Sequence, residues 1–259
     1  MRCLMFVTRM RASVFWGLSL VWLVLGNVGS VSAQAPMEHR VFVSLSAGLE
    51  IASTTFAENP TFRLFVEDSE FLAHYSRDGD WVFDVTVGTR VWRNVAIGVG
   101  VSIFDVGSDA TVTARLAHPF YFDRHREVSG AASGLARREI AIHLQPTWIV
   151  PVTDRIDVSM FGGPSFFRVD HDLVTAVEFA HAYPFDAARF TGVATEIQSE
   201  PAIGFNAGVD VAFHFSANVG VGGIARFSRA TVNFTSVDGA VVPTDAGGVQ
   251  IGVGLRLRF

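Results

Sequence analysis

Two histidines, His143 and His214, an acid, Glu139, and two serines, Ser46 and Ser159, supply the residue types of a Ser/His/acid hydrolase. Such a site needs a hydroxyl nucleophile, an imidazole to take its proton, and a carboxylate to orient the imidazole. His118 and His125 could ligate a metal, yet no third donor at useful spacing accompanies them. The pairs Gly98 and Gly100, Gly220 and Gly222, and Gly252 and Gly254 resemble fragments of a phosphate-cradling loop, which requires a strand ending and a helix beginning at the glycines. Each reading depends on the element that carries the residues, so the period of the surrounding sequence decides among them.

That period is two. In the closing run GGVQIGVGLRLRF (247–259), Val249, Ile251, Val253, Leu255, Leu257 and Phe259 share one face of an extended strand, and Gly248, Gln250, Gly252, Gly254, Arg256 and Arg258 share the other. The same alternation predicts strands over 41–51, 81–91, 95–105, 139–150, 156–168, 202–214 and 219–232, making eight with 248–259. At about 10–14 residues they match or slightly exceed the length that crosses a bilayer at a tilt. Short turns are expected at Trp92–Asn94, Pro151–Arg155 and Phe215–Asn218, and long loops at 52–80, 106–138, 169–201 and 233–247. Short connections on one side and long ones on the other are the pattern of an outer-membrane barrel. Alternating stretches inside the loops, such as 110–116, 174–180 and 188–197, predict hairpins that rise past the membrane, and leave open whether 174–197 adds two strands to make ten. Asn59–Pro60, Ser129–Gly130 and Val242–Pro243 mark places where strands should stop.

The amino-terminus fixes the compartment. Arg2, Arg9 and Arg11 precede the apolar run 14–26, and Val31, Ser32 and Ala33 offer a small-residue cleavage site: the pattern of a secretory signal peptide over 1–33, with 34–259 as one mature domain. The apolar run is short against the roughly 20 residues of a spanning helix. Cys3, the only cysteine, falls in the removed segment, so no disulfide, thiol nucleophile or thiolate metal site is expected in the mature chain, nor a lipid-modified cysteine. All 20 basic residues are arginine against 25 acids, and the signal peptide carries off three arginines and no acid. An acidic chain argues against a nucleic-acid partner. The run ends at the eighth strand, so no added periplasmic domain is expected.

One face of every strand is apolar, and that register turns Glu50, Asp84, Arg90, Glu139, His143, Asp157, Asp210, His214, Arg226, Arg256 and Arg258 inward. A charge facing lipid near the midplane costs roughly 2–4 kcal/mol. The arginines are therefore expected to pair with the carboxylates inside a closed barrel, with Arg168 and Arg229 facing outward only near the loop ends. The glycines lie within period-two runs on the inward face, where they make room for long neighbours. Inward histidines cannot meet a substrate in the membrane, so no catalytic residue, cofactor or metal site is expected. Trp81, Trp92 and Trp148 fall near strand ends, as girdle residues do. The loop HPFYFDRHRE (118–127) combines aromatics and charges as a ligand- or host-binding tip would, or as a loop resting on lipopolysaccharide would.

A signal peptide, eight alternating strands and a terminal GLRLRF together make the chain similar to the OmpA-like eight-stranded outer-membrane barrels, over essentially its whole mature length. The resemblance implies that the last strand, through Leu255, Leu257 and Phe259, is recognised by the barrel-assembly machinery. The expectation is an all-β, closed, antiparallel up-and-down transmembrane barrel, monomeric, in contact with outer-membrane lipid and lipopolysaccharide, with a structural or interaction role. The alternatives are a lipid-modifying enzyme of the lipid A deacylase type, a narrow ion-conducting barrel, and a soluble periplasmic carrier. Eight strands leave an interior that side chains can just fill, which disfavours an open pore.

Overall fold

The computed structural model describes residues 40–51, 54–77 and 79–259. The signal-peptide residues, with Cys3, lie outside the described residues. The elements are β1 (Val41–Ile51), β2 (Thr54–Glu58), β3 (Thr61–Leu64), β4 (Glu67–Arg77), β5 (Trp81–Trp92), β6 (Val95–Ala117), β7 (His125–Pro151), β8 (Ile156–His181), β9 (Ala188–His214), β10 (Val219–Thr235), β11 (Val241–Ala246) and β12 (Val249–Arg258). All pairings are antiparallel. The ring β1–β5–β6–β7–β8–β9–β10–β12 closes on itself through β1 and β12. Eight strands form the barrel, as the alternation predicts.

Closure is tight at the termini. Phe42 lies opposite Arg258 and Ile51 opposite Val249, so the first and last strands pair over their whole length. The backbone N–H groups of Arg40 and Val41 both donate to the Phe259 carbonyl, and the Phe259 N–H donates back to Val41. A ring whose last strand pairs with its first leaves no open edge at this level.

The segments expected as long loops are instead extensions of the sheet. β6 and β7 stay paired from Val95–Trp148 up to Ala117–His125, and β8 with β9 from Ile156–Phe213 up to His181–Ala188. The 174–197 stretch is thus the upper part of two ring strands and adds none. Beside them, β4 takes over on β6 where β5 ends, β2 pairs β4, and β11 continues β12 along β10. Asn59–Pro60 does separate β2 from β3, but two expected stops lie inside strands. Gly130 stays in β7 because the Phe190 ring occupies the space a side chain would need: a Cβ there would meet it at 2.1 Å. Pro243 stays in β11 because, among the described residues, that strand hydrogen-bonds with β10 only, and an edge tolerates a missing N–H.

These extensions have a core of their own. Phe71, Ala73 and Tyr75 from β4, Ala110, Val112, Ala114 and Leu116 from β6, Val169, Leu173 and Val174 from β8, and Val232 and Phe234 from β10 pack into one buried apolar cluster. Apolar side chains fill the barrel above its charged section.

Candidate functional site: the charged lumen and its apolar cap

The charged residues meet inside the ring because the pleat turns every second side chain inward and closure brings opposite strands within reach. Arg256 of β12 grips Asp210 of β9: its Nε lies 3.0 Å from both carboxylate oxygens, and its Nη1 donates to the Ser46 hydroxyl at 3.0 Å. Planar two-point pairing is the strongest form of this contact. Arg226 of β10 donates to Asp84 of β5, and its guanidinium stands 5.4 Å from the Phe161 ring centre. Gln250 donates to Glu50 at 3.0 Å. Near the short-turn end, Arg258 donates to Asp157 at 3.3 Å, His214 Nδ1 lies 3.7 Å from the same carboxylate, and Arg90 feels both Asp157 and Arg258. Between Arg226, Asp84, Gln250 and the β1 backbone there remains an internal space of about 10 Å³, the room of one water molecule.

The glycines fit around these side chains. A Cβ on Gly222 would meet Arg256 Nε at 2.9 Å, and one on Gly88 would meet the Phe42 ring at 2.3 Å. Inward glycines therefore admit the long side chains of neighbouring strands, and no helix follows any of them.

The hydrolase outline does not assemble. Ser46 is taken by Arg256, and Glu139 by Arg137 at 2.9 Å and by the Gly247 N–H at 3.0 Å. His143 instead sits between two other hydroxyls, Ser102 at 2.9 Å from Nε2 and Ser165 at 2.8 Å from Nδ1. Asn206 donates to Ser165 at 2.9 Å and extends the chain. His143 has no exposed surface.

Alternation stopped one step early misses Arg137. It is 1% exposed, and its Nη2 donates to the Asp245 carbonyl at 3.0 Å. It shares parity with Glu139 and His143, so running the strand two residues further would have found it; with it, inward arginines and inward carboxylates are equal in number. Also unforeseen is a buried polar group within the cap. The Tyr75 hydroxyl donates to Glu58 and accepts from the Val174 N–H at 2.8 Å, and Ser236 donates to the other Glu58 oxygen at 3.2 Å. Burial pushes the Glu58 carboxyl above its ordinary pKa, against the lowering effect of those two hydroxyls, and nearby Asp238 raises it further. Glu58 thereby ties β2 to the chain just past β10.

The outer surface shows a matching division. Around the charged section it is apolar on every strand: Leu45, Val85, Val87, Ile97, Val99, Ile142, Leu144, Phe166, Val209, Val221 and Val253 are all exposed. Higher up the same strands, outward positions turn polar, with Asp105, Asp109, Thr111, Thr113 and Arg115 on β6, Arg138 on β7, and Arg229, Thr231 and Asn233 on β10. Arg168 and Arg229 sit at this boundary and pair outward with Asp170 and Asp245. Polarity thus inverts along the axis: charged inside and apolar outside below, apolar inside and polar outside above.

No protein-family model and no curated protein sequence matches the chain. Among solved structures, Neisserial surface protein A matches with 11% identity over 85% of this chain and 97% of that one, at a TM-score of 0.41. OprG, an outer-membrane protein of Pseudomonas aeruginosa, matches with 11% identity over 85% and 96%, at 0.43. The outer-membrane protease OmpT of Escherichia coli matches with 8% identity over 89% and 100%, at 0.46. The barrel assignment rests on this chain's own strand pairing.

Proposed function

We propose that the chain is a monomeric outer-membrane barrel with a structural or interaction role, exported by its signal peptide and holding its paired hairpins outside the cell. The inversion of polarity along the axis carries this reading. A water-soluble barrel would leave the apolar belt of Val99, Leu144, Val209 and Val253 in water, whereas a bilayer covers it and leaves the polar upper sheet wet. The apolar cap and the arginine–carboxylate pairs support a lumen closed to solutes. Full burial of His143 between two hydroxyls supports a non-catalytic role. We further propose that the outward edge Leu255, Leu257 and Phe259 serves the assembly machinery, and that the boundary beside Arg138 and Arg168 lies against lipopolysaccharide.

Refolding residues 34–259 in detergent tests the barrel. The folded protein should migrate faster unboiled than boiled and give a β-type circular dichroism spectrum. A chain that stays soluble without detergent and shows no mobility shift would overturn the reading in favour of a periplasmic carrier.

A further inference from the structure

The tips of the β6–β7 and β8–β9 hairpins form one exposed aromatic surface. Phe120, Tyr121 and Phe122 in the first tip are 69%, 57% and 77% exposed, and Tyr183 in the second is 87% exposed. Phe185 joins the two, its ring 5.5 Å from Phe120 and 6.2 Å from Tyr183. Water-facing rings in this number are costly on a surface with no task.

Buried polar side chains hold the tips in place. The His118 ring, 2% exposed as a residue, accepts the N–H groups of Phe120 and Tyr121 through Nδ1 at 3.1 and 3.2 Å. Arg126, 4% exposed, donates to Ala117 O at 2.9 Å in its own hairpin and to Phe185 O at 3.3 Å in the other. Arg124 pairs with Asp186 at 3.0 Å across the same gap. The rings are displayed on a fixed base, so burying them orders little chain.

We propose that this surface inserts into the interface of a second, electrically neutral lipid bilayer facing the cell. The proposal rests on the outer-membrane reading above. Exposed rings, apolar in Phe120 and Phe122 and hydroxyl-bearing in Tyr121 and Tyr183, suit a bilayer interface, which needs no matching pocket and offers an apolar floor and polar headgroups together. Their own membrane is out of reach: beyond Asp105, where the outer face of β6 turns polar, the strand runs on for about 40 Å at roughly 3.3 Å per residue. Charge selects a neutral surface. Around the rings Asp123, Glu127 and Asp186 oppose Arg124 and Arg126, so no positive excess draws the tip to anionic headgroups.

The test uses the mature protein in nanodiscs mixed with sucrose-loaded phosphatidylcholine vesicles, with sedimentation of the protein as readout. Incorporation with a retained mobility shift checks the barrel separately from the tip. The wild type should sediment with the vesicles; the triple variant F120S/F122S/Y183S should lose at least tenfold in capture while keeping its mobility shift; and F122W should retain capture. Absence of wild-type capture, capture unchanged in the triple variant, capture on phosphatidylglycerol vesicles alone, or nanodisc clustering without vesicles would each overturn the proposal, the last in favour of a second copy as partner.

Discussion

Arg137 and Glu139, two residues apart on the inward face of β7, hold opposite sides of one bend across the barrel. The guanidinium donates to the Asp245 carbonyl and the carboxylate accepts from the Gly247 N–H, while the two side chains bond each other at 2.9 Å. Gly247 has φ +83°, a left-handed conformation that glycine adopts freely. A Cβ there would also meet the Ser228 carbonyl at 2.5 Å. The pair therefore fixes the point where β12 passes into β11, and where charged lumen gives way to apolar cap.

Removing one member of this buried pair should be costly. Glu139→Ala leaves a guanidinium in the interior without that carboxylate and should destabilise the barrel by about 3–5 kcal/mol. Arg137→Met with Glu139→Leu should recover most of the loss, because an apolar pair needs no compensation. Urea unfolding of the refolded proteins measures both, and equal losses in the two variants would refute the pairing argument.

The position of the bilayer is also open to test. Val99→Arg, on the apolar outer belt of β6, should cost about 2–4 kcal/mol in lipid, and Val253→Arg likewise. Thr113→Arg, on the same face of β6 but beyond Asp105, should change stability by no more than about 0.5 kcal/mol. Stability measured in lipid vesicles compares them, and a uniform response along β6 would place the membrane boundary elsewhere.

Closure depends on close backbone approach at glycines on both sides of the β1–β12 seam, Gly48 and Gly254. A Cβ at Gly254 would lie 1.8 Å from the Leu45 carbonyl oxygen, whereas at Gly98 the nearest atom is 3.4 Å away. Gly254→Ala should therefore destabilise by about 1–3 kcal/mol through forced displacement of β1 from β12. Gly98→Ala should be nearly neutral. The unboiled band of the Gly254 variant should convert to the boiled position at a lower temperature than the wild type.

The cap should respond to pH through Glu58. Its raised pKa means that folding favours the protonated form, so its contribution is fully present below the ordinary glutamate range and is lost as pH rises through the folded value. Glu58→Gln keeps a neutral group among Tyr75 and Ser236 and should flatten that dependence, leaving the cap at neutral pH at least as stable as the wild type. Thermal unfolding from the ordinary glutamate range up to neutral pH compares the two. Identical slopes would show that Glu58 does not titrate in this range.

Local pattern alone determined the strand faces, the short turns, and which charged positions lie opposite the apolar face. These follow from a period of two, because a slip by one residue would turn every charge toward lipid. Strand ends were not legible in the same way. The apolar–polar contrast that marks a membrane strand reverses above Asp105, so alternation read for an apolar outer face stops there although the strand continues. Gly130 and Pro243 look like stops in isolation and become strand residues only through Phe190 and the free side of β11. Which residues pair was decided by tertiary structure alone. Arg256 meets Asp210, Arg226 meets Asp84 and His143 meets Ser102 because ring order and stagger set distances across the lumen, and no spacing along the chain encodes those. The sequence determined what had to face inward; closure decided what it would face there.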